Sequence, residues 1–214
     1  MSWYGSNPIR WLAGLTVSSL LTGCPASGVG PSVERYQKLD AKGRPLDVQQ
    51  GPWACVLDRQ TGLIWENKTD NEGLHYEAAT YSWFSAEQGT GRPKAGSCVG
   101  ADMGVFACDS SDLLKSARQQ QWCGQRGWQI PTHQQLHSLL HDTGFAGNPR
   151  IATGFFPNTG RMPYWTADWR LGAQGEVEAL QIHFGTAEAG WLSTRHAARL
   201  RLVVDPAVTR ITQP

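Results

Sequence analysis

The stretch Trp53-Ala-Cys-Val-Leu-Asp-Arg-Gln-Thr-Gly-Leu-Ile-Trp65 predicts a β-hairpin. Two short apolar runs, Val56-Leu-Asp58 and Leu63-Ile-Trp65, lie on either side of the polar segment Arg59-Gln-Thr-Gly62. Apolar runs separated by a polar segment that contains glycine are typical of two antiparallel strands joined by a turn. The composition changes at Gly51, so we expect the folded domain to extend from residue 51 to residue 214.

A long loop and a first helix are predicted after the hairpin. Residues 112–122 have inward-facing Leu113, Leu114 and Ala117 at helical spacing, with Ser110 or Ser111 as the expected cap. Residues 85–111 are expected to form a loop, because glycine and proline interrupt every apolar period there, at Gly89, Gly91, Pro93, Gly96, Gly100 and Gly104.

A second helix is predicted to begin after Thr132. Thr132 and Gln135, three residues apart, form a capping-box pattern at a helix N-terminus. Three leucines then follow at helical spacing and predict an apolar stripe, and Gly144 is expected to end the helix; the leucines are Leu136, Leu139 and Leu140.

The C-terminal third is expected to be rich in strands. The segments Tyr164-Trp-Thr-Ala167, Ala179-Leu-Gln-Ile-His-Phe184 and Arg199-Leu-Arg-Leu-Val-Val-Asp205 have strand composition. In the last segment, leucine and valine alternate with arginine, which predicts a half-buried strand whose arginines face solvent. Strands, two helices and further strands indicate an α+β fold built around an antiparallel sheet.

The N-terminus resembles a bacterial lipoprotein signal. A short apolar stretch follows Arg10 and ends at Leu21-Thr-Gly-Cys24, which is similar to a lipobox. We expect residues 1–23 to be a signal peptide, Cys24 to be lipidated, and residues 24–50 to form a flexible tether. The alternative is an ordinary signal peptide with a coincidental cysteine. Pro25, in place of aspartate, favours outer-membrane attachment.

The four other cysteines predict two disulfides, because an even number in an exported chain indicates oxidised pairs. Three pairings are possible. We favour Cys98–Cys108, which closes the glycine-rich insertion, and Cys55–Cys123, which ties the first strand to the end of the first helix. Zinc is the alternative, but no Cys-x-x-Cys spacing occurs.

Net charge and motifs argue against several function classes. Without Arg10, 18 of the 19 basic side chains remain against 18 acidic ones, and a neutral chain gives no support for nucleic-acid binding. No nucleophile-elbow or zinc-protease motif occurs. His133, His137 and His141 have helical spacing, but successive positions rotate by about 40°, so the three cannot reach one ion. We therefore expect no enzyme activity, no metal and no cofactor.

Two groups of residues are candidates for ligand binding. Three tryptophans near predicted loops are the candidates for a surface position, where an aromatic face can stack on a sugar ring: Trp83, Trp169 and Trp191. The alternative for these tryptophans is packing in the core. Arg195, Arg199 and Arg201 form a basic cluster suited to sulfate or carboxylate. The alternative for the arginines is a solvated strand face with ion pairs to residues such as Glu176 or Glu178.

Three motifs together resemble the Lcl C-terminal domain family, also called DUF1566. They are the hairpin stretch, Trp122-Cys-Gly124, and Gly127-Trp-Gln-Ile-Pro-Thr132. The resemblance covers residues 51–205 and implies a C-type-lectin-like fold in secreted or lipid-anchored bacterial proteins. It also implies an anionic polysaccharide as ligand, since a collagen-like adhesin with this domain binds sulfated glycosaminoglycans.

The combined expectation is a non-catalytic binding module of the cell envelope. The membrane is expected to be a partner through the lipid anchor, and the ligand to be a glycan or a surface protein. The alternative is a structural component that docks onto an envelope machine such as a pilus or a secretion complex.

Overall fold

The computed structural model describes Met1 and residues 31–100, 104–141 and 147–207. Apart from Met1, the expected signal peptide and the expected lipidation site at Cys24 lie outside these ranges. No helix within them is long and apolar enough to cross a membrane.

The described ranges form a strand-rich fold with short helices. The helices are α1 (Pro31–Arg35), α2 (Ser110–Gln119) and α3 (His133–His137), with a 3₁₀ turn at Trp122–Gly124. The strands are β1 (Tyr36–Leu39), β2 (Cys55–Asp58), β3 (Ile64–Glu66), β4 (Tyr81–Ser82), β5 (Phe84–Ser85), β6 (Thr90–Gly91), β7 (Gly96–Gly100), β8 (Gly104–Cys108), β9 (Pro163–Leu171), β10 (Val177–His183), β11 (Ala189–Ser193), β12 (Ala197–Ala198) and β13 (Val203–Val204).

The first sheet has four antiparallel strands in the order β1-β2-β3-β13. Strands β2 and β3 are the two arms of the predicted hairpin, with Val56 opposite Trp65, so that prediction is confirmed. Both side chains are fully buried because they lie on the face that packs against the rest of the domain.

The prediction of a flexible tether up to residue 50 is wrong for its second half. Strand β1 pairs with β2 along its whole length, from Tyr36 opposite Asp58 to Leu39 opposite Cys55. Tyr36 and Leu39 are buried, and the ammonium of Lys38 lies 3.7 Å from the centroid of the Trp53 ring. The polar residues of this segment obscure its apolar period, because the aliphatic chain of Lys38 is itself buried.

The second sheet has three antiparallel strands in the order β11-β10-β9. Strands β9 and β10 confirm the two strands predicted at Tyr164 and Ala179, although a bulge shifts their register between Ala179 and Gln181. Strand β11 was not predicted.

The predicted loop at residues 85–111 contains two strand pairs, β5–β6 and β7–β8. Glycines do not prevent strands here because short two-stranded ribbons tolerate them at close approaches. Helix α2 also begins earlier than predicted. Asp109, rather than Ser110 or Ser111, is its cap: the Asp109 carboxylate accepts from the Ser111 backbone N–H at 2.9 Å.

The capping box at the second predicted helix is confirmed. The Thr132 hydroxyl accepts from the Gln135 N–H, and the Gln135 side chain accepts from the Thr132 N–H at 2.9 Å. Helix α3 has only five residues and ends at His137, so the expected end at Gly144 was too late. Residue 144 itself lies outside the described ranges. Leu136 and Leu139 are fully buried.

Both favoured disulfides are present. Cys55–Cys123 joins β2 to the 3₁₀ turn after α2, and Cys98–Cys108 joins β7 to β8. All four cysteines are buried. The fold is therefore a mixed, sheet-dominated α+β domain with two disulfide bonds, as the sequence predicted at this level.

The C-terminal segment, residues 199–204, joins the two sheets. Trp165 in β9 donates its backbone N–H to the Arg199 carbonyl at 2.9 Å, while β13 pairs with β3. Only Val203–Val204 is a strand, and every residue from Leu200 to Val204 is buried. The predicted half-buried strand with arginines facing solvent is therefore wrong, because this segment lies between the sheets rather than at their surface.

We predict that a chain beginning at Gly51, without β1, is much less stable than a chain beginning at Pro31. Burial of an aromatic or leucine side chain contributes about 2 kcal/mol, so loss of Tyr36 and Leu39 should lower the free energy of unfolding by about 4 kcal/mol or more. Urea unfolding of the two oxidised chains, followed by tryptophan fluorescence, measures the difference. Equal midpoints would show that residues 31–50 are a tether after all.

Candidate functional site

The structure separates the three arginines that were predicted to form one ligand-binding cluster. The Arg201 side chain is fully buried, and its guanidinium donates to the Glu66 carbonyl at 2.5 Å and to the Thr159 hydroxyl at 2.8 Å. It also lies 5.1 Å from the centroid of the Phe156 ring. Arg201 cannot reach an external ligand, so its assignment to a binding surface is wrong.

Arg199 and Arg195 differ from Arg201 and from each other. Arg199 donates to the Glu77 carboxylate at 2.6 Å, and only 16% of its side chain is exposed. Arg195 lies in the turn after β11 and is exposed, next to Glu176 in a small polar depression. Of the predicted cluster, Arg195 alone is available to a ligand.

Arg201 is part of a buried charge network centred on Glu66. The Glu66 carboxylate accepts from the Lys68 ammonium at 2.9 Å and from the Leu202 backbone N–H at 2.8 Å, and lies 2.6 Å from His75 Nδ1. The His75 ring stacks on Trp122 with centroids 3.9 Å apart. These contacts pair the charges of Glu66 and Lys68, which would otherwise be costly to bury, while Arg201 Nε and His75 Nε2 are buried without a hydrogen-bond partner.

The electrostatics of the network keep Glu66 ionised. Burial raises the pKa of its carboxyl, but the Lys68 ammonium and the His75 hydrogen bond outweigh burial and lower that pKa to about 2. Burial lowers the pKa of Lys68, against the opposing effect of Glu66. Every described member of this network lies inside the fold, so its role is to hold elements together.

A cleft at the end of the second sheet, lined by two tryptophans, is the candidate site. It has a volume of about 550 Å³ and lies between β9, α2 and the β5–β6 ribbon. Trp83 forms its floor: the ring is buried, and the indole N–H donates to the Thr166 carbonyl at 2.8 Å. Trp169 forms one wall with 39% of its surface exposed, and the two ring centroids are 6.3 Å apart.

Local sequence explains how the floor is built. Gly91 in β6 has φ +99°, and a Cβ there would lie 2.4 Å from the Trp83 carbonyl oxygen. Only glycine allows the β5–β6 ribbon to pack this closely on Trp83. On the other side, Ser110 at the start of α2 is bonded to Phe84, since its hydroxyl accepts from the Phe84 N–H at 2.9 Å. The ribbon and the helix are thus fixed around the cleft.

The rim of the cleft is polar. Arg118 on α2 donates its Nε–H to the Trp128 carbonyl at 2.8 Å, and its guanidinium lies 3.7 Å from the Glu87 carboxylate. Lys115, one turn earlier, is exposed. Amide side chains complete the lining, at Gln88, Gln119 and Gln129. An aromatic floor with a few convergent polar groups is typical of a small-molecule site.

The three candidate tryptophans occupy three different environments. Trp169 and Trp191 are exposed, as predicted, whereas Trp83 is buried and the prediction of a surface position was wrong. Trp169 lies opposite Ala179, and Trp191 lies opposite Leu180, so the two rings point to opposite faces of the sheet. Only Trp83 and Trp169 share a site.

Sequence reasoning missed the contribution of α2 to the cleft. Lys115, Arg118 and Gln119 lie on the face of the helix opposite Leu113 and Ala117, and that face is visible in the sequence as an ordinary solvated one. Nothing in the spacing indicates that Trp169, about 50 residues later, approaches it. The sequence features that could have indicated the cleft were the amphipathic pattern of α2 and the large number of tryptophans.

The three spaced histidines do not converge. The ring centroids of His133 and His137 are 5.6 Å apart, and His141 lies beyond the end of α3. Within residues 31–100, 104–141 and 147–207, no group of three or more histidine, cysteine, aspartate or glutamate side chains is arranged to hold a metal ion.

We predict that Glu66→Gln lowers stability at neutral pH and flattens the response to acid. The pKa of Glu66 in the folded chain, about 2, is below its ordinary value of 4.5. Its stabilising contribution is therefore fully present above about pH 4.5 and is lost as the pH falls towards 2. Unpairing Lys68 should cost about 3 kcal/mol or more at pH 7.

Urea unfolding at several pH values between 2 and 7 measures this effect. The matched control is Glu72→Gln, which removes an exposed carboxylate that has no ion pair among the described residues. The control should follow the parent chain at every pH. If the free energy of unfolding of Glu66→Gln changed with pH in the same way as that of the parent between pH 2 and 7, the charged state assigned to Glu66 would be wrong.

Comparison with known proteins places the chain in one family. The family model described as Lcl C-terminal domain matches residues 54–204, which include both disulfides, α2, α3 and the cleft, while β1 lies outside the match. Neither the curated proteins nor the solved structures gave a significant match. Because the model covers well over half of the chain, this protein belongs to the Lcl C-terminal domain family.

Proposed function

We propose that this protein is a non-catalytic binding module of the bacterial cell envelope that recognises a saccharide in the Trp83–Trp169 cleft. The observation that carries the proposal is the pairing of a half-exposed indole with a polar, cationic rim in one concave site. Stacking on Trp169 would take the apolar face of a sugar ring, while the rim would take its hydroxyls.

The chemistry of the rim favours a sugar that carries an acidic group. Arg118 is held in place by the Trp128 carbonyl, yet 43% of its side chain remains exposed for a carboxylate or sulfate. Lys115 adds a second positive charge one turn away. Glu87, 83% exposed, can turn away from Arg118 at little cost because a surface ion pair at 3.7 Å is weak.

The neutral amides at the rim suit the uncharged part of such a ligand. Gln88, Gln119 and Gln129 each offer both a donor and an acceptor, as sugar hydroxyls require. Hydroxyls satisfied in this way would fix the orientation of the ring over Trp169. The fold would then act as a rigid scaffold, since two disulfides and the buried Glu66 network hold the elements that carry the cleft.

Anchorage through Cys24 and a C-type-lectin-like architecture complete the proposal. The lipobox-like sequence before Cys24 supports attachment to the outer membrane. Alternating strands, short helices and two disulfides are compatible with a lectin-like arrangement. Recognition would rest on Trp169 and the α2 rim and would need no metal, cofactor or catalytic group.

We predict that Trp169→Ala abolishes most of the saccharide affinity of the domain. Loss of a central aromatic contact costs about 2 kcal/mol, or roughly thirtyfold in Kd. A glycan array of neutral and sulfated oligosaccharides identifies the ligand, and calorimetry with the strongest binder measures Kd. Arg118→Ala should weaken binding of acidic sugars and reduce its dependence on salt.

Two exposed residues away from the cleft provide the matched controls. Trp191→Ala removes an equally exposed indole on the opposite face of the sheet, and Arg195→Ala removes the one available arginine of the C-terminal stretch. In calorimetry with an oligosaccharide that fills a single cleft, where avidity does not contribute, both variants should have the Kd of the parent. Absence of binding to every saccharide on the array would refute the proposal and favour a component that docks onto an envelope protein assembly.

A further inference from the structure

The outer edge of β11 has unpaired backbone groups. In the described ranges, β10 is the only strand that pairs with β11, on one side. The Thr194 N–H donates to the Val177 carbonyl, and the His183 N–H donates to the Glu188 carbonyl. These two bonds show which residues of β11 are hydrogen-bonded to β10 and which lie between the bonded pairs. The N–H and C=O groups of Ala189, Trp191 and Ser193 therefore point away from β10, because bonded and non-bonded pairs alternate in antiparallel sheets. The Ser193 carbonyl accepts from the His196 N–H at 3.0 Å, so the open groups of this edge are those of Ala189 and Trp191 and the Ser193 N–H.

This edge lacks the features that usually prevent strand addition. The sequence of β11 is Ala189-Gly-Trp-Leu-Ser193, without a charge or a proline, and its register with β10 is continuous. Exposed edges are normally protected by charged side chains, proline or a bulge. Trp191 additionally exposes 38% of its surface beside this edge. An unprotected, apolar edge is a template for another strand.

We propose that β11 pairs with β11 of a second copy of this chain, antiparallel about a two-fold axis at Trp191. Trp191 would then lie opposite the partner's Trp191, and Ala189 opposite the partner's Ser193. Trp191 would donate one backbone hydrogen bond to the partner's Trp191 and accept another, and at each end the Ser193 N–H would donate to the partner's Ala189 carbonyl. Such an arrangement is closed by its symmetry, so it forms a dimer and no larger array.

Charges at the ends of the strand favour a second copy as the occupant. Glu188 precedes β11 and Arg195 follows it; both are exposed, and neither has an ion pair among the described residues. In this register Glu188 lies opposite the partner's Thr194, one residue from the partner's Arg195, at each end of the interface. Parallel pairing would instead place like charges together, which is unfavourable.

The aromatic contact fits the same arrangement. Opposed residues in a bonded antiparallel pair have Cα atoms about 5.5 Å apart, which brings the two indole rings together on one face. The Arg170 guanidinium lies 4.5 Å from the centroid of the Trp191 ring and is held by Glu178 at 2.8 Å. It therefore orients the indole before any partner arrives.

The dimer is independent of saccharide binding. Trp169 and the cleft lie on the opposite face of the sheet from Trp191, so pairing through β11 leaves the cleft open. Loss of one activity need not affect the other. A dimer that also binds saccharide would present two clefts, which raises the avidity for a repeating polymer.

Cysteine crosslinking of the purified full-length chain, with Cys24→Ser in every variant so that only the introduced thiols can react, tests the register directly. In the double variant Ala189→Cys with Ser193→Cys, each new thiol faces the complementary position of the partner, and oxidation with diamide should give a covalent dimer on a non-reducing gel. The two positions lie about 13 Å apart along one strand, too far to react within a chain. Each single variant alone should stay monomeric.

A second experiment adds Trp191→Lys to the chain that carries both introduced cysteines. The substitution places two ammonium groups opposite each other at the axis and should reduce the crosslinked fraction at least fivefold. Leu171→Lys, which introduces the same charge at an exposed position on β9 away from this edge, should leave the fraction unchanged. Equal crosslinking by the single variants, no crosslinking by the double variant, or insensitivity to Trp191→Lys would each overturn the proposal.

Discussion

The buried carboxylate of Glu66 constrains the arrangement of the two sheets. Glu66 ends β3, and its backbone and side chain both bond to Leu202, while its carboxylate is neutralised by Lys68 and contacts His75. A charge in this position is tolerated only when every partner is in place, so the network admits one position for the C-terminal segment. That segment in turn bonds to β9 through Arg199 and Trp165.

The position of β9 determines where the cleft forms. Thr166 in β9 accepts the indole N–H of Trp83, and three residues later Trp169 rises beside the same ring. Helix α2 closes the opposite side with Lys115 and Arg118. The interior arginine, Arg201, therefore supports the cleft indirectly, by holding the segment that aligns β9. Two arginines of the patch predicted from the sequence, Arg199 and Arg201, have partners within the fold, and the cleft lies elsewhere.

Local signals predicted local structure well. Turn composition predicted the β2–β3 hairpin and cap chemistry predicted the Thr132 capping box, because both depend on residues close together in the sequence. The even number of cysteines in an exported chain predicted the two disulfides. Strand β1 and the position of Arg201 could not be predicted in this way. A polar residue becomes buried when distant partners compensate it, and those partners are not visible in the periodicity of the segment itself.

The cleft was predictable only in its parts. An excess of tryptophan indicated aromatic surfaces, and Trp169 was correctly expected to be exposed, but the partners of Trp169 come from α2 and the β5–β6 ribbon. Their approach depends on Gly91 and on the sheet arrangement rather than on any sequence motif. Family membership covers residues 54–204, without β1, and leaves the ligand to be found by experiment.

The most direct test of the account is nuclear magnetic resonance of the indole N–H groups during titration with a heparin hexasaccharide. Each tryptophan gives one such signal, so the experiment locates binding without any substitution. We predict that the signals of Trp83 and Trp169 shift together and saturate, while that of Trp191 stays fixed. Shifts at Trp191 and the Arg195 turn, with Trp83 and Trp169 unchanged, would contradict the assignment of the cleft as the binding site.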